Sequence, residues 1–379
     1  MYFLTAKDPN YIVKGSRDPL GMQVIWQAAG RRLIPDLSTV SSSIIDFQIM
    51  CIASYYKKEL RIEDKAFQSF FNRLEKLMAF VRFQKNPKEG FNGVDRINKL
   101  INTPNKTITI SDQQEILSNQ KAYGVWGKYN RPFSDAGITE ISGFHELMKK
   151  KIKTVPAFDK MIDRLVRKPV DQNTEFNKSQ LQLIYPLIDK PEGDERNLFI
   201  KTLLKDNCEN SLYKAISENK NLLGMSLYEL IENLSLNSAS EELNHSLDSI
   251  RRTELILSPL NHIFRYLQTK SYWTRFEISV SSAIEQTRTN VDTEGLDISI
   301  QELNKFLTLP NVELVLGLAN RNEQVSAGRK SVAWMKMNEN GLEVNHFEGA
   351  RSMYDYNPTI HNDNSYFISS YLNIYRQLH

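Results

Sequence analysis

Apolar residues recur at helical spacing along most of this chain. Phe67, Phe70, Phe71, Leu74, Leu77, Met78 and Val81 follow the i, i+3, i+4, i+7 rule, which predicts an amphipathic helix beginning near residue 62. Before it, Ser41-Ser42-Ser43 precedes Ile44, Ile45, Phe47, Ile49, Met50, Ile52 and Ala53, too many apolar positions for one narrow face. That helix is expected to be mostly buried, with Cys51 as a core thiol. Val94, Ile97, Leu100 and Ile101 predict another, closed by Asn102-Thr103-Pro104. Further helices are predicted over 143–152, 158–166, 179–188, 198–204, 212–216, 226–234 and 241–267, with breaks at Pro169, Lys190-Pro191-Glu192-Gly193 and Gly224. Helical texture continues at Ile278 and Ala283 and returns from Tyr366 to Leu378.

Strand patterns are few. Thr107-Ile108-Thr109-Ile110 alternates and is β-branched, and 312–318, apolar apart from Glu313, is read as a run of strand length. Residues 331–337 and 342–347 flank Asn338-Glu339-Asn340-Gly341 and predict a hairpin, with Asn-Gly supplying positive φ. Two stretches read as turns: the first forty residues around Val24-Ile25-Trp26, and 123–141, where Trp126, Tyr129 and Phe133 mix with three glycines. The expected fold is mainly α with a small β component (α+β), divided as 1–154, 155–275 and 276–379, with the hairpin near 331–347.

A length of 379 residues with 41% hydrophobic and 25% charged content excludes disorder and suggests at least two domains. Two cysteines, Cys51 and Cys208, support neither a disulfide scaffold nor a cysteine-rich zinc site. The start has no signal-peptide pattern, and no apolar run approaches the roughly 18 residues a spanning helix needs, so the expectation is a cytoplasmic chain without a membrane partner.

Motifs for catalysis are thin. Gly328-Arg329-Lys330-Ser331 is not a phosphate loop, because Arg interrupts the Gly-Lys pair and no glycine stands five positions earlier; no nucleotide or other cofactor is expected. None of His145, His245, His262, His346, His361 and His379 has zinc-site spacing. Asp46 with Glu63-Asp64-Lys65 has the residue types of a metal-dependent nuclease, but on sequence that reads as helix.

Local cation clusters carry more. Lys149, Lys150, Lys151, Lys153, Lys160, Arg164, Arg167 and Lys168 face only Glu146, Asp159 and Asp163, a composition that attracts phosphates. Arg31 and Arg32 near Trp26, and Arg329 and Lys330 near Trp334, pair guanidinium or ammonium groups with aromatics in the way nucleic-acid sites do. Ion pairs of Arg17 or Arg31 with Asp18 or Asp36 are the structural alternative for the first group.

Gly15-Ser16-Arg17-Asp18-Pro19-Leu20-Gly21, Gln23-Val24-Ile25-Trp26, Gly30-Arg31 and Leu37-Ser38-Thr39-Val40 together resemble the opening of uncharacterised bacterial proteins associated with phage-defence gene clusters. The resemblance implies a setting in which partners are protein subunits of a multi-gene system and DNA. The expectation is therefore a non-catalytic accessory subunit of an antiviral assembly that touches DNA through its basic patches, with the metal-dependent nuclease as the alternative.

Overall fold

The computed structural model describes residues 17–102, 107–167, 173–205, 212–237, 240–345, 350–351, 356–357 and 363–379. It is mainly α, with two small antiparallel sheets of two and three strands. In chain order α1 (Gln23–Leu33), α2 (Ile44–Glu59), α3 (Asp64–Lys85) and α4 (Val94–Ile101) precede β1 (Thr107–Ile110), α5 (Gln120–Tyr123), α6 (Val125–Asp135), α7 (Phe144–Lys153) and α8 (Pro156–Arg167). Next come β2 (Thr174–Asn177), α9 (Lys178–Gln182), α10 (Gly193–Phe199), α11 (Leu212–Glu218), α12 (Leu227–Asn237), α13 (Glu241–Leu267) and β3 (Tyr272–Thr274). The chain ends with α14 (Arg275–Ser279), α15 (Ser282–Gln286), α16 (Ile298–Thr308), α17 (Asn311–Gly328), β4 (Met335–Met337), β5 (Gly341–Val344) and α18 (Ile368–Leu378).

These elements form two compact units. One comprises Ile34–Ser217 and Phe367–His379, the other Met1–Leu33 and Glu218–Tyr366. The breaks expected near 155 and 275 fall inside units instead, because each unit is assembled from segments far apart in sequence.

In the first unit α2 is buried on most sides, and Cys51 is fully buried, with burial pushing its thiol pKa up. Cys208 lies outside the described residues. The apolar side of α3 also carries Arg73, Glu75, Lys76 and Arg82 into the interior, and each needs a partner there. Arg73 forks onto both carboxylate oxygens of Asp112 at 3.0 and 2.8 Å and donates to the Leu165 carbonyl. Lys76 donates to the Ser111 carbonyl at 2.7 Å, so two buried cations fix the turn that follows β1. That strand pairs antiparallel with β2, Ile108 opposite Phe176. From the far end of the chain, α18 packs into this unit, with Tyr371 donating to the Leu204 carbonyl at 2.9 Å.

The second unit is organised on α13, which α1, α12 and α16 contact. Its sheet has the order β3-β5-β4, with Trp273 opposite Leu342. In the hairpin turn the Asn338 side chain accepts from the Asn340 and Gly341 amides, both at 2.9 Å. Gly341 is required for a reason other than positive φ: a Cβ there would stand 2.1 Å from the Trp273 carbonyl oxygen of the neighbouring strand.

Three expectations about elements are corrected. The run 312–318 is helical, because its buried positions Leu314, Val315, Leu318, Ala319, Asn322 and Ser326 continue at helical period past the run's end. Val24-Ile25-Trp26 belongs to α1, whose Trp26 packs edge-on against Tyr366. Residues 125–135 form α6 rather than a turn, with Pro132 inside the helix and Tyr129 and Phe133 on its buried side.

Candidate functional site

A cavity of about 430 Å³ opens within the first unit, where α2, α3, α6 and the loop after α3 converge. Glu75, Ala79 and Arg82 line it from α3 at i, i+4, i+7, Asp46 and Ile49 from α2, and Lys128 and Tyr129 from α6. The N-termini of α2 and α6 both reach this cavity, and side chains bond amides at the start of each. Tyr129 Oη accepts from the Ser43 amide at 3.0 Å, Gln377 Oε1 from Ile44 at 2.9 Å, and Glu75 Oε1 from Val125 at 2.8 Å. Gly124, just before α6, has no room for a Cβ, which would meet Glu75 Oε1 at 2.6 Å and the Gln120 carbonyl at 2.4 Å. The absence of a side chain at Gly124 is what lets the carboxylate cap the helix.

Arg82 holds the floor. It donates to Asp46 Oδ1 at 2.6 Å and to Glu89 Oε1 at 2.6 Å, and its guanidinium carbon stands 4.7 Å from the Phe91 ring centroid. Glu75 differs from these carboxylates. It is 5% exposed, and burial pushes its pKa up to about 7 against the opposing hydrogen bonds of the Val125 amide and the Gln120 side chain. Tyr129 is raised well above the tyrosine range, first by burial and then by Asp46.

A second polar centre lies in the other unit. Glu254, 4% exposed on α13, accepts from Tyr366 Oη at 2.6 Å and Asn364 Nδ2 at 2.9 Å, and from the Asp363 and Asn364 amides. Burial raises its pKa to about 7 despite those donors. Asp363 in turn meets His262 at 3.4 Å and Arg265 at 3.2 Å, and His262 stacks on Tyr356.

No family model, curated protein or solved structure matches the chain.

The sequence-predicted cations are dispersed. On α7, Lys149 is half-buried, Lys150 and Lys153 are exposed, and Lys160 is exposed on α8; among the described residues these four ammonium groups have no ion pair. Lys151 leaves that face, since its ammonium pairs with the Glu195 carboxylate and is largely buried. Arg164 is exposed, donates to the Glu175 carbonyl and lies over the Phe176 ring. Lys168 and the Arg167 side chain fall outside the described residues, as do His346 and His361.

Around α1 and α17 the picture is structural. Arg329 donates to the Arg17 carbonyl and pairs with Asp18 Oδ2 at 3.0 Å, while Asp18 Oδ1 accepts from the Met22 amide at the start of α1. Asp36 pairs with Lys205 at 2.6 Å. Asp18 and Asp36 thus take partners other than the arginines expected from sequence. Arg32 and Lys330 are exposed and Arg31 is half-buried, but Trp26 and Trp334 are both buried and offer no face for a base to stack on.

The acidic set considered for a nuclease is not brought together. Asp46 sits in the first turn of α2 and Glu63 follows its last, so the helix rise separates them by about 20 Å. Asp46 is held by Arg82, whereas Glu63 and Lys65 are exposed at the start of α3. Among the described residues no three His, Cys, Asp or Glu side chains are grouped to hold a metal ion. Nor is any described helix long and apolar enough to cross a membrane.

Proposed function

We propose that this chain is a cytoplasmic, non-catalytic subunit of a bacterial antiviral assembly that contacts the phosphate backbone of DNA through α7 and α8. One observation carries the reading: Lys149, Lys150, Lys153 and Lys160 display ammonium groups without ion pairs on two consecutive helices. The opposing carboxylate Asp159 already accepts a 2.6 Å bond from Tyr56, which leaves it less available to them. Lysines in the last turn of α7 also complement its helix dipole, which accounts for their place on the helix but not for Lys160.

The contact expected is sequence-tolerant. Lysine neutralises phosphate as a point charge and lacks the planar fork that reads guanine edges, and the buried tryptophans supply no stacking platform. Within the assembly, partner proteins have an apolar surface to use at Phe276 and Val280, one turn apart and 73% and 61% exposed.

The test is a salt titration of DNA binding on two unrelated duplexes. Replacing Lys149, Lys150 and Lys153 by alanine is expected to weaken binding to both alike and to reduce the slope of log K against log salt by roughly three phosphate contacts. Lys151→Ala, by contrast, is expected to lower the melting temperature without changing that slope, because it breaks the pair with Glu195. Coincident slopes for wild type and the triple variant overturn the assignment of this face. Purification of the chain from its native operon, free of other protein and of DNA, counts against the assembly.

A further inference from the structure

We infer that the cavity between α2, α3 and α6 is a binding site for a small zwitterion, an aliphatic α-amino acid whose carboxylate pairs with Lys128 and whose ammonium pairs with Glu89. This site is independent of the lysine face and needs no nucleic acid. Lys128 lines the cavity half-buried, and among the described residues its ammonium has no ion pair, although Asp46 and Glu89 line the same cavity. Glu89 gives only Oε1 to Arg82, which bonds it through both Nε and a terminal nitrogen, and its Oε2 has no hydrogen bond among the described residues. Opposite charges are therefore left apart around one cavity, and a ligand that carries both signs bridges them.

The charge inventory selects a ligand without net charge. Arg82 supplies one positive charge to two carboxylates, Asp46 and Glu89, which leaves that trio negative, and Lys128 supplies the balancing positive charge. Glu75 is engaged elsewhere: it is buried, its Oε1 accepts from the Val125 amide, and the Gln120 side chain bonds the same carboxyl. An anion on Lys128 would face Asp46 and Glu89 uncompensated, and a cation on Glu89 would face Lys128. A zwitterion answers both charges at once. The volume of about 430 Å³ is that of a small-metabolite pocket, and Ile49, Ala79, Phe91 and Ile116 give apolar walls for an aliphatic side chain.

The experiment titrates the full-length protein, by thermal shift and calorimetry, with L-leucine and with its two halves in charge: isoamylamine, which lacks the carboxylate, and isocaproate, which lacks the ammonium. Leucine is expected to raise the melting temperature, and each half to bind about tenfold more weakly or worse, because each forfeits one charge-assisted contact. Lys128→Met removes the ammonium and keeps the length of the side chain, so it is expected to weaken leucine by about tenfold and to bind isoamylamine better than wild type does. Glu89→Gln keeps an oxygen for Arg82 and is expected to weaken leucine likewise while admitting isocaproate. No stabilisation by leucine, a half that binds wild type as tightly as leucine, or wild-type leucine affinity in either variant overturns the proposal. Should Glu89→Gln fail to fold, Lys128→Met decides alone, since the Lys128 ammonium holds no ion pair that the fold would lose.

Discussion

Replacing Arg82 by alanine is expected to lower the melting temperature of the unit that contains it by about 10 °C. Its side chain is 5% exposed, bonds two carboxylates and covers Phe91. Truncation leaves Asp46 and Glu89 without the guanidinium that both of them bond, and removing one member of a buried ionic group typically costs about 3–5 kcal/mol. For a unit of this size each kcal/mol shifts the midpoint by about 2–4 °C. The control is Lys57→Ala, which breaks an equally short 2.7 Å pair with Asp64, whose side chain is 88% exposed. Solvent screening should leave that variant within a degree or two of wild type. Equal losses in the two variants would mean that burial does not govern these pairs.

The two raised glutamates should respond oppositely to the same substitution. Glu254 has donors on both oxygens, so in Glu254→Gln the NH2 faces either the Asn364 Nδ2 donor, with the Tyr366 hydroxyl forced to turn from donor to acceptor, or the two backbone N–H groups. A donor facing donors in the interior is expected to cost on the order of 3 kcal/mol at any pH between 6 and 8. Glu75 has its backbone donor on Oε1 alone, so glutamine fits with its oxygen toward Val125 and its NH2 toward the Gln120 side-chain amide, which can turn its oxygen to accept. The pH sign follows from the direction of the shift. Burial raises both carboxyl groups from the ordinary 4.5 to about 7, so the folded state binds the proton more tightly than the unfolded chain. Stability is then greatest below about pH 4.5 as far as these groups are concerned, falls as pH rises, and levels off above about pH 7, by on the order of 3 kcal/mol for each. Glu75→Gln removes one such penalty and should melt above wild type at pH 8 but near it at pH 5. Denaturant melts of the three proteins at both pH values measure this, and a Glu75→Gln that is destabilised at pH 8 would contradict the raised pKa.

Periodicity made the helices of the first unit legible, since the apolar positions of α2 and α3 are dense and regular. The same density hid the site. Arg73, Lys76 and Arg82 read as the solvated side of α3 unless their phase is tracked, and they share turns with Leu74, Leu77 and Val81 on the buried side. Charged residues in phase with a core stripe are the sequence signal that was missed. The capping of α6 by Glu75 has no local signal at all, because the two groups are fifty positions apart and only Gly124 marks the approach. Two glycines and Pro132 disguised α6 as a turn, although Pro132 stands late in the helix, where its side-chain burial with Tyr129 and Phe133 offsets a lost backbone donor. At 312–318 the window was too short: seven residues, apolar apart from Glu313, are compatible with either period, and Asn322 and Ser326 decide it.

The return of α18 to the first unit also sets the order in which the protein is made. A ribosome completes α2 through α11 and then must synthesise the whole of 218–366 before Tyr371, Ile374, Tyr375 and Leu378 emerge to fill their places among the residues of that unit. Until then its interior lacks a wall, and the cavity lacks Gln377, which holds the start of α2 through both the Ile44 amide and the Ser42 carbonyl. The unit whose main body is made before 218–366 is therefore the last to close, and the nascent chain carries an open apolar face while the intervening segment is translated, the state in which folding chains are most exposed to aggregation and to chaperones.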